Sequence, residues 1–153
     1  MIDQGDTRLL EDPVARELLS SAYPARLAYT WKDGTPRVVA MWFQWGDGRL
    51  VMGTPPKAPK LKVLQERPDV AVTIDNGNRY PYHELMLRGR AEVELLDDVV
   101  SEYAAAARRY FGDEQGEAWL SQLRGKPMAR VSVTPTWVGL LDFETRFPSA
   151  LAA

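Results

Sequence analysis

Apolar residues along the chain fall into short runs broken by charges and prolines, and the spacing within each run predicts its element. Asp12-Pro13 opens a short helix to about Ser21, since an aspartate caps free amides and proline suits the first helical position. From Ala25 the period shortens. Leu27 and Tyr29 alternate with Ala28 and Thr30, and Lys32-Asp33-Gly34-Thr35 supplies the tight turn of a hairpin. The return strand, residues 37–45, is apolar at nearly every position, which predicts burial on both faces. Gly46-Asp47-Gly48 turns the chain into a third strand, residues 50–54, which stops at Pro55-Pro56 because consecutive prolines cannot donate to a ladder.

Leu61 and Leu64, flanked by charges, predict a short amphipathic helix between Lys57 and Arg67, closed by Pro68. A fourth strand follows at 70–74, then loop residues Asp75-Asn76-Gly77-Asn78, then a fifth strand at 84–96 in which Gly89 marks a bulge or close backbone approach. Five strands therefore precede residue 97. Asp97-Asp98 starts a helix with Val99, Tyr103, Ala106, Ala107 and Tyr110 on one face, and Gly112 separates it from a second helical stretch to about Leu123. Residues 128–133 and 136–141 read as two final strands around Pro135, and an irregular tail begins at Arg146-Phe147-Pro148. With neither repeat nor linker, residues 1–153 are expected to form one domain: mainly β with helical insertions, a partly open barrel rather than a doubly wound sheet.

Composition removes several classes of function. No apolar run approaches the roughly 18 residues of a membrane span, and Met1 to Thr7 is polar with two aspartates, unlike a secretory leader. A cytoplasmic protein without membrane partners is expected. The chain has no cysteine, so disulfides, thiolate metal sites and a cysteine nucleophile are excluded. Its net charge of -2 lacks the basic excess that phosphate-backbone binding needs, so nucleic acid is not an expected partner.

The informative residues are ordered along the first two thirds of the chain. Arg37-Val38-Val39-Ala40-Met41-Trp42, Gly53-Thr54, Ala58-Pro59-Lys60, Arg67-Pro68-Asp69-Val70 and Arg88-Gly89-Arg90 together resemble the FMN-binding core of the pyridoxamine 5'-phosphate oxidase-like family, over about residues 25–94. The resemblance implies a split β-barrel of Greek-key type, a flavin cofactor and an oxidoreductase activity. It also implies that the strand from Arg37 to Trp42 runs along the isoalloxazine and phosphate, with Gly53, Thr54 and Lys60 completing the phosphate site. Lys57, Lys60 and Lys62 crowd the start of the expected helix, where free amides already favour an anion. They suit FMN or, as in the shorter flavin and deazaflavin oxidoreductases, a deazaflavin coenzyme with its longer acidic tail. Haem, bound by some relatives, is a lesser alternative. An apolar-flanked guanidinium at Arg37 needs a ligand phosphate or an internal carboxylate.

The chain also departs from the oxidases. Ala58-Pro59-Lys60 replaces Ser-Arg-Lys, Trp42 stands for a lysine and Glu84 for a glutamine, and little beyond Trp137 and Arg146 matches the C-terminal substrate segment. Vitamin B6 oxidation is therefore not expected; the substrate is a small molecule of unknown identity. A bound flavin carries the chemistry itself, so no catalytic residue is assigned. A non-catalytic flavin or haem carrier is the competing class. Tyr29, Trp42 and Trp137 are candidates for lining the ring cavity, though aromatics in a small barrel more often fill cores or dimer contacts. His83, the only histidine, reads as a surface or packing residue sooner than a haem ligand or proton donor. Glu92-Glu94 and Asp97-Asp98 lack a paired histidine, so no metal site is expected. Apolar residues 38–45 and five tryptophans predict a homodimer whose interface contributes to the cofactor site.

Overall fold

A computed structural model describes residues 1–148 and 151. A 3-10 turn, Thr7–Glu11, leads into α1, Pro13–Leu19, where Asp12 accepts from the Val14 amide and Pro13 occupies the first turn. The strands are β1 Ala25–Thr30, β2 Pro36–Met41, β3 Gln44–Gly46, β4 Arg49–Thr54, β5 Asp69–Asp75, β6 Glu84–Leu96 and β7 Met128–Leu141. Helix α2, Lys60–Glu66, links β4 to β5, and the helical pair α3 Ser101–Phe111 and α4 Asp113–Ser121 links β6 to β7. No helix among the described residues is long and apolar enough to cross a membrane.

The seven strands form one antiparallel sheet in the order β2-β1-β5-β6-β7-β4-β3. Its two edges, β2 and β3, are separated in sequence by only Trp42 and Phe43. One continuous segment therefore supplies both edges, and the sheet curls until they meet. That is the split of a barrel whose ladder does not close. Phe43 turns inward at this corner and is completely buried, together with Leu27, Leu50, Met52, Leu64, Ile74, Leu85 and Leu140.

Four sequence expectations are corrected. Asp97-Asp98 does not start a helix: α3 begins at Ser101, leaving Val99 outside it, and Asp98 accepts from the Val99 and Gly125 amides instead. Six strands, not five, precede residue 97, because the run 37–45 breaks at Trp42-Phe43 and resumes as β3. The same run is not buried on both faces: β2 is an edge, and Val38 is 69% exposed. Pro135 does not divide the last strand, since β7 runs unbroken and a register shift at Arg88/Gly89 absorbs the irregularity. Gly89 is required there. A Cβ on it would stand 2.4 Å from the Thr134 carbonyl oxygen, where β6 and β7 approach too closely for a side chain. At the β3–β4 hairpin both central residues, Asp47 and Gly48, have positive φ (51° and 73°), the pairing that matches strand twist in a two-residue turn.

Candidate functional site

The corner at the split is held by α3. Arg109 donates to the Ser21 carbonyl at 2.7 Å, to the Phe43 carbonyl and to the Gln44 side-chain oxygen, so its guanidinium links the chain before β1 to the bend between the sheet edges. Tyr110 donates to the Tyr23 carbonyl at 2.7 Å, and burial pushes its phenol up. Trp42, pointing away from the barrel interior that Phe43 fills, stacks on Tyr110 with centroids 5.3 Å apart and an interplanar angle of 10°. Tyr103 lies 5.5 Å from it, and the edge of Phe111 meets it at 4.7 Å. Aromatic pairs of this kind contribute about 0.5–1.5 kcal/mol beyond their burial, enough to fix the corner's shape.

The other wall is β4. A Cβ on Gly53 would stand 2.8 Å from Tyr103 Cβ and 2.9 Å from Met128 Sδ, so only glycine lets α3 rest on the strand at this point. Arg130, paired with Gly53 in the ladder, donates to Glu102 on α3 at 3.1 and 3.0 Å and to Glu94 at 2.8 Å. The helix is thus tied to the sheet on both sides of Tyr103. Trp119 of α4 donates its indole N–H to the Tyr103 hydroxyl at 2.9 Å.

Between these walls lies a cleft of about 440 Å³ lined by Val39, Ala40, Met41, Trp42, Gly53, Thr54 and Lys60, with Tyr103, Phe111 and Trp119. No carboxylate lines it among the described residues. Among the described residues its one charge is Lys60, the first residue of α2, a half-buried ammonium whose pKa burial lowers and which no carboxylate there offsets. Thr54, at the end of β4, is buried beside it. Because β2 pairs only with β1, alternate backbone N–H and C=O groups of β2 face away from the ladder toward this side.

Seven of the residues singled out in the sequence thus meet in one place: Val39, Ala40, Met41, Trp42, Gly53, Thr54 and Lys60. Four stand apart. Val38 projects to solvent from the edge strand. Arg37 sits at the hairpin turn, 3.2 Å from Thr35 Oγ1, 3.8 Å from Asp33 Oδ2 and 5.3 Å from the Trp31 ring, so an internal carboxylate is its partner. Lys57 and Lys62 line a different groove, described below. The helical wall was only half legible: Tyr103 and Tyr110 share the face that periodicity marked, whereas Phe111 and Trp119 carry no signal in the sequence.

The remaining candidates lie elsewhere. Tyr29 packs against the core and borders a hollow that Arg88 and Arg90 also line, and Trp137 packs under the Arg88 guanidinium at 3.9 Å. His83 precedes β6 at the end opposite to the residues that reach Gly53 and Thr54 through β7; its Nδ1 is buried without a hydrogen-bond partner, 3.8 Å from Glu17. No cluster of three or more metal-ligating side chains occurs among the described residues.

The family described as Pyridoxamine 5'-phosphate oxidase matches residues 12–142. No curated protein matches by sequence. Among solved structures, an F420 reductase shares 26% identity with a TM-score of 0.62, over 80% of this chain and 93% of its own. A conserved hypothetical protein of Mycobacterium tuberculosis has TM-score 0.65 at 22% identity, over 83% of this chain and 81% of its own. General Stress Protein 26 of Bacillus anthracis has TM-score 0.61 at 16% identity, over 89% and 95%.

Proposed function

The chain belongs to the pyridoxamine 5'-phosphate oxidase family, and on that premise we propose that the cleft at the barrel split binds FMN and that the protein is an oxidoreductase acting on a small molecule. The observation that carries this reading is Lys60. A half-buried ammonium without a carboxylate, at one end of a cleft otherwise walled by rings and backbone, is costly unless an anion neutralises it. A phosphate on a flat apolar ring system satisfies both halves of the cleft. Lys60 and the Thr54 hydroxyl would hold the phosphate. The outward backbone groups of β2 would accept and donate along the polar edge of the ring, and Trp42, Tyr103 and Phe111 would exclude water from its face. The cofactor, when bound, supplies hydride transfer. A deazaflavin coenzyme is the second reading, favoured by the 26% identity to an F420 reductase over 93% of that chain.

The protein is further proposed to act as a homodimer. Val38, Ala28 and Ala71 form one cross-strand row on the outer face of β2-β1-β5, an exposed valine beside a hollow that the two alanines line, a surface suited to seating a second copy. Since β2 carries both this row and one wall of the cleft, assembly and cofactor binding are coupled, and ligand stabilises the assembled form by mass action. Sedimentation of apo and cofactor-loaded protein tests this: a monomer with full cofactor affinity would refute it. Titration with FMN and with F420, followed by absorbance, tests the cofactor assignment. Saturable binding of one of them supports it, and binding of neither removes it.

A further inference from the structure

A second groove, of about 520 Å³, lies on the other side of the segment that carries Lys60, between the β1–β2 hairpin tip and α2. Its walls are preformed: Arg67 donates to the Lys32 carbonyl at 3.2 Å and so fastens the hairpin tip to the end of α2. The floor is apolar, made by Val93 and by Leu95, which is 64% exposed although it belongs to a paired strand. Trp31 forms one side.

The rim is cationic. Lys32, Lys57 and Lys62 face Glu66 alone, three ammonium groups against one carboxylate, in a chain whose net charge is -2. Lys62 and Glu66 are 4.0 Å apart and both well exposed, a contact of little strength. Elsewhere Arg26, Arg108, Arg124 and Arg130 each hold a carboxylate, whereas Lys32 and Lys57 hold none among the described residues. Lys32 Nζ lies 5.9 Å from the Trp31 ring, and the Arg37 guanidinium, itself 3.8 Å from Asp33 Oδ2, lies 5.3 Å from it, so Trp31 already holds cations against its ring. The volume falls in the range of small-molecule sites.

We propose that this groove is a binding site, separate from the cofactor cleft, for an aromatic carboxylate. The ligand's ring lies on Leu95 and Val93 against Trp31, and its carboxylate faces Lys57 and Lys62. An aliphatic chain would forgo the Trp31 face, and a neutral ring would leave the lysine rim without a counter-charge. The site is independent of which cofactor fills the first cleft.

The test uses 2-naphthoate as the probe, with the five tryptophan indole N–H signals of isotope-labelled protein as the readout, Trp31 being assigned from Trp31→Phe. Saturable shifts confined to the Trp31 signal are expected, with the Trp42 and Trp119 signals unmoved. The neutral 2-naphthamide is expected to bind at least tenfold more weakly, as is 2-naphthoate to the double variant Lys57→Glu/Lys62→Glu, and saturating FMN or F420 is expected to leave the probe's affinity unchanged. Absence of binding, shifts at Trp42 in place of Trp31, equal affinity for the amide, or displacement of the probe by either coenzyme would each overturn the proposal; displacement would assign the groove to the cofactor while leaving the flavin reading intact.

Discussion

Two cations stand near the same corner of the barrel and are treated in opposite ways. Arg109 spends its guanidinium on the protein, donating to two backbone carbonyls and an amide oxygen and lying over the Phe43 ring at 5.0 Å. Lys60 is half-buried, partly withdrawn from water and without an ion-pair partner among the described residues. A cation whose donors are all used internally fixes shape. One withdrawn from water without a partner raises the free energy of the unliganded fold, and an anion in the cleft recovers that energy. The first makes the split and the second makes it useful.

Removing each should therefore show up in a different measurement. Arg109→Met leaves the Phe43 and Ser21 carbonyls without their donor and is expected to cost roughly 3 kcal/mol, about 6–12 °C in Tm for a domain of this size. Calorimetry of the apo protein checks it, and an unchanged Tm would break the contrast from the structural side. Lys60→Ala is expected to do the reverse: apo stability unchanged or slightly higher, and cofactor affinity reduced by about 1.5–3 kcal/mol, roughly ten- to a hundred-fold.

The pH dependence follows the same sign. Burial depresses the Lys60 pKa in the folded state, so the unfolded chain holds more protons as pH rises through that lowered value. Apo stability should gain a little there, up to the ordinary lysine range. Over the same interval cofactor affinity should fall, as the ammonium loses its proton. Both trends should vanish in Lys60→Met; a cofactor affinity flat with pH in the wild type would place the anion elsewhere.

Smaller effects probe the helical wall that the two cations share. Gly53→Ala places a methyl 2.8 Å from Tyr103 and 2.9 Å from Met128 Sδ, so α3 must move off β4, at about 1–2 kcal/mol in Tm-derived stability and with weaker cofactor binding. Trp119→Phe removes the hydrogen bond to Tyr103 and part of the ring that lines the cleft, near the surface, an expected loss of about 0.5–1 kcal/mol.

What the sequence revealed, and where it failed, has physical reasons visible in particular elements. The bounds of β6 were readable from the loop residues before it, the aspartates after it and the alternation of apolar and charged residues from Arg88 to Glu94, although its Leu-, Glu- and Arg-rich composition favours a helix by propensity; Gly89 marked the register shift because a missing side chain in a strand means close approach. The run 37–45 misled because apolar content is shared by buried strands and by edges that expect a ligand or a partner. Nothing local tells Trp42-Phe43 that the chain must leave one edge for the other; that is a demand of topology. Pro135 was taken as a break, yet a proline at a bulge needs no ladder bond. At the site, β2, β4 and Lys60 were legible as an ordered set. Phe111 and Trp119 were not, since long-range packing alone brings α3 and α4 over the cleft. The spacing of Lys57, Lys60 and Lys62 suggested one cluster, but Lys60 and Lys62 stand two apart on α2 and point to different sides, Lys57 lies in the turn before the helix, and the fold divides the three between two grooves.

The most direct test is a calorimetric titration of FMN, and in parallel of F420, into wild-type protein and Lys60→Ala at matched, low ionic strength. Saturable binding of one coenzyme at one per chain is predicted for the wild type, weakened ten- to a hundred-fold in the variant with apo Tm retained. Binding of neither coenzyme, or the same dissociation constant in both proteins, would contradict the assignment of the cleft and of Lys60.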